Sequence, residues 1–321
     1  MLIYTSLAEV PSDFGPSIVT IGNFDGVHRG HQSVLAEMIA RARGRNARAV
    51  AVTFEPHPVR LLRPQQPHQR ITLPREKLEL LQATGLDAVL VLPFTRQLSQ
   101  LSAEEFARQV LRDALHAIEV HEGEDFHFGH DARAGLDALA GMGAELGFTV
   151  HPHPAEIWRG IPISSSRIRA TIRQGEMRTA RQLLGRPFSV RSHPAPGRGY
   201  GSRYAVPTIN LAEYTELLPA NGVYITCMQV GGEFFGSVTN VGNRPTFGAD
   251  SFAVESHLLH FHPIALDETT PLVLYFLDRI RAEVRWPSTA ALKAQIARDV
   301  ARAEHYFALW KAQRSPQLQD Q

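Results

Sequence analysis

The apolar positions of the first half fall into short, continuous runs. SIVTIG (17–22), ARAVAVTF (47–54), AVLVLPF (88–94), AIEVHEG (117–123) and FTVHPH (148–153) are rich in Val and Ile and scarcely alternate with polar residues. That is the pattern of strands covered on both faces. Helical segments lie between them. HQSVLAEMIARARG (31–44) ends at Gly44, read as a left-handed residue closing the helix. LPREKLELLQATG (73–85) sets Pro74 near a helix start and Gly85 past its end. SAEEFARQVLRDAL (102–115) opens with Ser102 and Glu105 at capping-box spacing. This β-α order predicts an α/β fold, a doubly wound, Rossmann-like parallel sheet of about five strands. Its ligand crevice is expected beyond the carboxyl ends of the strands.

After His153 the pattern changes. SSSRIRATIRQGEMRTARQLLG (164–185) reads as two short helices with serine caps in front and Gly175 and Gly185 as stops. From Arg186 the chain becomes all-β, with GVYITCMQV, EFFGSVTNVG, AVESHLLHF and PLVLYFLDRI separated by Gly, Pro and Asn. Strands at that spacing predict a small antiparallel β-barrel domain. A C-terminal helix follows Pro287, with Leu292, Ile296, Val300, Ala303, Phe307 and Trp310 at helical spacing for covering the barrel. The predicted division is therefore 1–185 and 186–321, with the tail SPQLQDQ frayed.

Composition narrows the function classes. Lys+Arg 33 against Asp+Glu 32 leaves a net charge of +1 over 321 residues, which argues against a dedicated nucleic-acid partner. No apolar run approaches a membrane span, the N-terminus lacks a signal-peptide pattern, and the single Cys227 fits a reducing compartment. A cytoplasmic protein is expected, a monomer or weak homo-oligomer. Lysine occurs only at Lys77, Lys293 and Lys311, none in a GxxxxGK[ST] loop. Phosphate chemistry is therefore assigned to arginine, backbone N–H groups or a metal ion.

The segment IGNFDGVHRGHQSVL carries the first candidate chemistry. A buried strand delivers Gly22-Asn23-Phe24-Asp25-Gly26 to a helix start bearing His28 and His31. Glycines admit a close backbone approach, and a helix N-terminus offers free N–H groups with a positive dipole. Two imidazoles three residues apart on the first turn share a face and can donate to phosphate oxygens. Ser164 and Ser165 open a later helix carrying Arg167 and Arg169, a candidate clamp that equally serves as a simple cap.

The string His28-Arg29-Gly30-His31 resembles the HxGH signature of the nucleotidylyltransferases. Together with VTFEPHP (52–58), GEDFHFG (123–129) and ISSSRIR (163–169), it resembles the bacterial bifunctional riboflavin kinase/FAD synthetases. The resemblance implies adenylyl transfer from ATP to FMN, giving FAD and pyrophosphate. It implies that Gly22, Asn23, Phe24, Asp25, His28, His31, Asp125, Ser164, Ser165, Arg167 and Arg169 bind ATP. Phe54, Glu55, Pro56, His57 and Phe128 would hold the isoalloxazine. The family commonly has Asn at Asp125 and Thr at Ser166.

In the second half, a glycine-rich loop (Gly197, Gly199, Gly201) precedes Pro207-Thr208-Ile209-Asn210, and Thr208 and Asn210 offer hard oxygen ligands suited to Mg²⁺. Glu255 shares the odd face of a predicted strand with Ala253, His257, Leu259 and Phe261. Burial on that mostly apolar face would raise its pKa toward that of a general base; a register slip of one residue would turn it to solvent. This half resembles the riboflavin kinase module. The resemblance implies that Gly197, Gly199 and Gly201 cover ATP, that Thr208 and Asn210 hold Mg²⁺, and that Glu255 is the base converting riboflavin to FMN. Three departures stand out: Ile209 replaces the alanine of PTAN, Ala205-Val206 replaces Gly-Phe, and Tyr200-Gly201-Ser202 stands where arginines are common. The alternatives are an adenylyltransferase with a decayed kinase half and a flavin-binding protein without turnover. A zinc enzyme is set aside because the 15 histidines read as scattered, with no HExxH.

Overall fold

The computed structural model describes residues 1–195, 208–243, 252–262, 264 and 266–314. The first sheet is built from β1 (Leu2–Tyr4), β2 (Ser17–Ile21), β3 (Arg48–Glu55), β4 (Ala88–Pro93), β5 (Ala117–Gly123) and β6 (Thr149–His153). All its pairings are parallel, in the order β1-β4-β3-β2-β5-β6. The connections carry α1 (Arg29–Gly44), α2 (Pro58–Leu62), α3 (Pro74–Gln82), α4 (Arg96–Gln100), α5 (Ala103–Phe106) continuing as a wider π-type turn, and α6 (Leu136–Leu146). The expected strands are all present, and β1 is an addition.

The continuous apolar runs have the anticipated cause. Val19, Val50, Val52 and Leu90 pack with Phe106, Leu111 and Leu139 on one face of the sheet. Ile18, Ala49, Ala51 and Val89 pack with Leu35, Met38 and Leu81 on the other. Ser102 and Glu105 form the reciprocal capping box, with bonds of 3.1 and 2.8 Å. Gly44 departs from expectation. It lies inside α1, and the left-handed residue that turns the chain is Asn46, a role asparagine fills because its short polar side chain tolerates that region.

A two-stranded hairpin, β7 (Ile157–Trp158) and β8 (Ile161–Pro162), leads into α7 (Ser165–Arg173) and α8 (Met177–Leu184). Gly185 closes α8 in the left-handed conformation, the stop expected for that helix. In backbone contacts the chain divides into Met1–Ser165 and Ser166–Gln321, because α8 packs on the second sheet.

That sheet comprises β9 (Phe188–Ser192), β10 (Thr208–Asn210), β11 (Gly222–Val230), β12 (Glu233–Asn243), β13 (Phe252–Leu258) and β14 (Leu272–Ala282). Its order is β10-β13-β12-β11-β14-β9, with every pairing antiparallel. A Pro194–Leu211 bridge joins the two edges, so the sheet curls back on itself. The last helix, α9 (Thr289–Arg314), covers β12 as anticipated, but with a narrower stripe. Val300, Ala303, Tyr306 and Phe307 pack against Val223, Ile225 and Val238, whereas Leu292, Ile296 and Trp310 are exposed. The seat for Phe307 is Gly236, where a Cβ would fall 2.7 Å from its ring. Asp299, buried on the same face, pairs with Arg281 at 2.9 Å.

Candidate functional sites

In the first sheet the strand order reverses between β2 and β5, which is where a doubly wound sheet opens its crevice. The segment after β2 is held there by its own side chains. Phe24 and Val27 are buried in the core although both have positive φ (47° and 37°). Their anchorage imposes an otherwise costly backbone conformation at the turn. The Asp25 carboxylate is likewise committed to structure, accepting the N–H groups of Ile71 (2.9 Å) and Thr72 (3.2 Å). Its carbonyl accepts the Ser165 hydroxyl at 2.9 Å, so Asp25 braces the crevice from two sides.

His28 caps α1, its Nδ1 accepting the His31 N–H at 3.4 Å. The two rings stack with centroids 3.6 Å apart and planes 17° from parallel, and His31 meets the edge of Phe24 at 5.1 Å. A Cβ at Gly30 would lie 3.2 Å from the His28 ring, which explains the glycine between the histidines. Burial, then the neighbouring His28 and Lys77, holds the His31 pKa well below the usual histidine range. His31 is therefore neutral near pH 7 and carries one ring proton. Its Nδ1 is buried with no hydrogen-bond partner among the described residues.

Beside this pair runs a cleft lined by Asn23, Asp25, Glu55, His57, Arg70, Thr72, Pro74 and Lys77. It gathers candidate residues from the ends of β2 and β3, Asn23, Asp25, Glu55 and His57, and adds four that the sequence did not offer for the site, Arg70, Thr72, Pro74 and Lys77. Arg70 pairs with Glu55, the Thr72 hydroxyl accepts the Gly26 N–H at 3.1 Å, and Lys77 donates to the Asn23 carbonyl (3.3 Å) and the Thr53 hydroxyl (3.0 Å). Burial lowers the Lys77 pKa. Lysine thus does reach the site, by a tertiary route that no P-loop pattern would reveal. Behind the cleft an aromatic series runs from Phe54 to Phe106 (6.5 Å) to Phe128 (6.1 Å). Phe128 is buried and stacks on Phe126. Pro56 follows Glu55 in a cis peptide. Asp125 and Ser164 are exposed, while Arg167 and Arg169 lie half-buried on α7.

The second sheet brings its candidates into register. Asn210 stands opposite Glu255, and Glu255 opposite Asn240, across three neighbouring strands. Thr208 is opposite His257. Directly paired residues share a face, so Asn210, Glu255 and Asn240 form one polar row. Asn240 was not singled out, because only the strand pairing reveals it. The expected environment of Glu255 needs correcting. The core face of β13 is the even set, Val254, Ser256 and Leu258; Ala253, Glu255 and His257 are half-buried. The polar faces of Thr208 and Asn210 are free of Ile209, whose side chain is buried on the opposite side of β10. Gly197, Gly199, Gly201 and Pro207 lie outside the described residues. Beneath the row is a fully buried hydroxyl chain. Thr226 bonds Ser237 (2.7 Å) and Thr239 (2.6 Å), and Thr239 bonds Ser256 (2.7 Å).

The histidines are less scattered than the sequence suggested. His121, His151 and His153 gather on β5 and β6 with Glu119.

Comparison with known proteins matches the same two halves. The FAD synthetase family model covers residues 10–167, and the riboflavin kinase model residues 184–307. A bifunctional riboflavin kinase/FMN adenylyltransferase from Pseudomonas fluorescens is 36% identical over 89% of this chain and 91% of its own. The protein of that description from Escherichia coli (strain K12) is 33% identical over 95% of this chain and 97% of its own. Among solved structures, one described as a macrolide-efflux protein from Streptococcus pneumoniae is similar with a TM-score of 0.83 at 26% identity, covering 94% of this chain and 98% of that one. Among the described residues no helix is long and apolar enough to cross a membrane. Two family matches in the order of the two sheets, and relatives aligned over nearly their whole length, make this chain a member of the bifunctional riboflavin kinase/FMN adenylyltransferase family.

Proposed function

We propose that the chain makes FAD in two steps, phosphorylating riboflavin to FMN with ATP at the second sheet and adenylylating FMN at the first, with release of pyrophosphate. The observation that carries the reading is that each sheet supplies its own constellation, His28/His31 at a helix mouth and Thr208/Asn210/Glu255 on neighbouring strands.

In the first site, in-line transfer to the α-phosphorus requires positioning and charge neutralisation more than covalent help. His28 and His31 hold the triphosphate at the N-terminus of α1, where the dipole and free N–H groups favour anions. The main chain of Gly22, Asn23, Phe24 and Asp25, with Asp125, Ser164, Ser165, Arg167 and Arg169, completes the nucleotide contacts. Arg70 and Lys77 add positive charge on the cleft side. Phe54, Glu55, Pro56, His57 and Phe128 form the flavin side, the two aromatics as an apolar wall.

In the second site Glu255 accepts the proton of the ribityl hydroxyl as it attacks the γ-phosphorus of ATP, and ADP leaves. Thr208 and Asn210 present a hydroxyl and an amide oxygen, a hard donor set that fits Mg²⁺. When bound, Mg²⁺ supplies charge neutralisation of the phosphates. The resemblance assigns the covering of ATP to Gly197, Gly199 and Gly201. The protein works on these small molecules in the cytoplasm as a monomer or weak homo-oligomer, without nucleic-acid or membrane partners.

The test is to incubate the protein with riboflavin, ATP and Mg²⁺ and to separate the flavins over time. FMN followed by FAD supports the reading. FAD formed only from supplied FMN indicates an inactive kinase half, and binding without conversion indicates a flavin carrier.

A further inference from the structure

Lys77 is only 7% exposed, yet it lines the cleft beside the paired histidines. From the first turn of α3 its ammonium reaches the Asn23 carbonyl (3.3 Å), just beyond β2, and the Thr53 hydroxyl (3.0 Å) on β3. The Thr53 hydroxyl itself donates to the Asn23 carbonyl at 3.3 Å, so the two acceptors are already joined to each other.

An ammonium has three protons to give. Both of these acceptors are neutral, and among the described residues no carboxylate forms an ion pair with Lys77. Glu55 is taken by Arg70, and the Asp25 carboxylate accepts the Ile71 and Thr72 N–H groups. Both carboxylates act on Lys77 only at longer range. A tie between a carbonyl and a hydroxyl needs no charge, and a neutral amide would make it. Burying a cation without an anion in contact is costly. The charge and the third proton are left for a group that enters the cleft, and an anion is what they fit.

The position of Lys77 selects the anion. Asn23 belongs to the turn that leads into His28 and His31, the triphosphate side. Thr53 lies two residues before Glu55 and four before His57, on the flavin side. Lys77 thus stands at the seam between the two substrates. In-line transfer brings the attacking oxygen against the α-phosphorus, so the phosphate of the acceptor must occupy that seam. A phosphate monoester carries nearly two negative charges at pH 7, and a fixed cation there offsets its repulsion from the triphosphate. We propose that Lys77 binds the phosphate of FMN and so favours the phosphorylated flavin over riboflavin at this site, a role that rests on the adenylylation reading above.

The experiment follows FAD formation from supplied FMN in the full chain. Lys77→Gln keeps neutral donors, and Lys77→Arg keeps the charge. In Lys77→Gln, kcat/KM for FMN should fall about ten- to hundredfold, the worth of a hydrogen bond to a charged group, while KM for ATP stays within about twofold. Lys77→Arg should recover most of the loss. A parent that makes no FAD from FMN would refute the adenylylation reading itself. A working parent matched by Lys77→Gln, or a KM for ATP that rises as much as that for FMN, would overturn only the role of Lys77. A second measurement needs no variant at that position. The chain has three lysines, Lys77, Lys293 and Lys311, so lysine labelled with ¹³C at Cε gives three signals, assigned through Lys293→Arg and Lys311→Arg. FMN should move the Lys77 signal, and riboflavin should leave it in place. A Lys77 signal that ignores FMN, or that answers riboflavin equally, would overturn the proposal.

Discussion

Glu255 stands directly across from Asn210 in the β10–β13 pairing, with their side chains on the same half-buried face of the sheet. The proposed base and a proposed metal ligand are thus positioned by backbone hydrogen bonds, and a substitution that preserves shape should leave that frame intact. Glu255→Gln is expected to lower FMN formation by about 10²–10⁴-fold, the usual worth of a general base, and to spare conversion of supplied FMN to FAD. His31→Ala should do the reverse. Loss of both activities from either folded variant would refute the assignment of separate sites.

Ile209 occupies the place of a family alanine, yet its side chain points into the core, away from Thr208 and Asn210. Ile209→Ala should therefore cost about 2–5 kcal/mol of stability and bring no gain in kinase turnover. Denaturant midpoints together with FMN formation decide this. A faster kinase would show that the bulk does obstruct the site.

At Gly30 stability and activity should part. Alanine favours a helix by up to ~1 kcal/mol over glycine, but its methyl group would press on the His28 ring. Gly30→Ala should melt no lower than the parent while FAD synthesis falls about tenfold or more through displaced imidazoles. Thermal melts and an FMN-to-FAD assay read the two effects separately.

Glu122 provides a pH test. It is buried at the end of β5, its carboxyl accepts the Ile21 N–H, and burial pushes its pKa well above the usual 4.5. The folded protein keeps this proton after the unfolded chain has lost it. The folded state therefore loses stability from this group as pH rises above about 4.5. Glu122→Gln removes that term while keeping a carbonyl acceptor for Ile21. Its advantage over the parent in urea midpoint should grow between pH 5 and pH 8, and a constant difference would contradict the shift.

The parts legible in the sequence are those whose cause is local. His28 and His31 follow a buried strand at a spacing that only a helix start makes useful, and Ser102 announces its cap by Glu105 three residues later. The illegible parts depend on contacts between distant segments. Lys77 reaches Asn23 and Thr53 from a separate helix, and Asn240 joins Glu255 only through strand register. Helix α6 escaped because Gly141 and Gly143 depress its propensity. A Cβ at Gly143 would meet the Phe148 carbonyl at 2.5 Å, so close packing, and not a turn, accounts for that glycine. Glu255 was placed on the right strand with the wrong surroundings, because an alternation of mixed residues does not say which face the core will take.

The hydroxyl chain Ser237–Thr226–Thr239–Ser256 gives the second sheet an interior that resists piecemeal change. Each hydroxyl has one proton to give, so the donors must be oriented in concert. Replacing Thr239 alone by valine would strand the Ser256 hydroxyl away from water at about 1–3 kcal/mol, while Thr226 keeps its bonds to Ser237. Replacing all four with apolar residues of matching shape would strand none. Sequence drift at these positions is therefore expected to be collective, and a lone apolar substitution should be rescued by its companions.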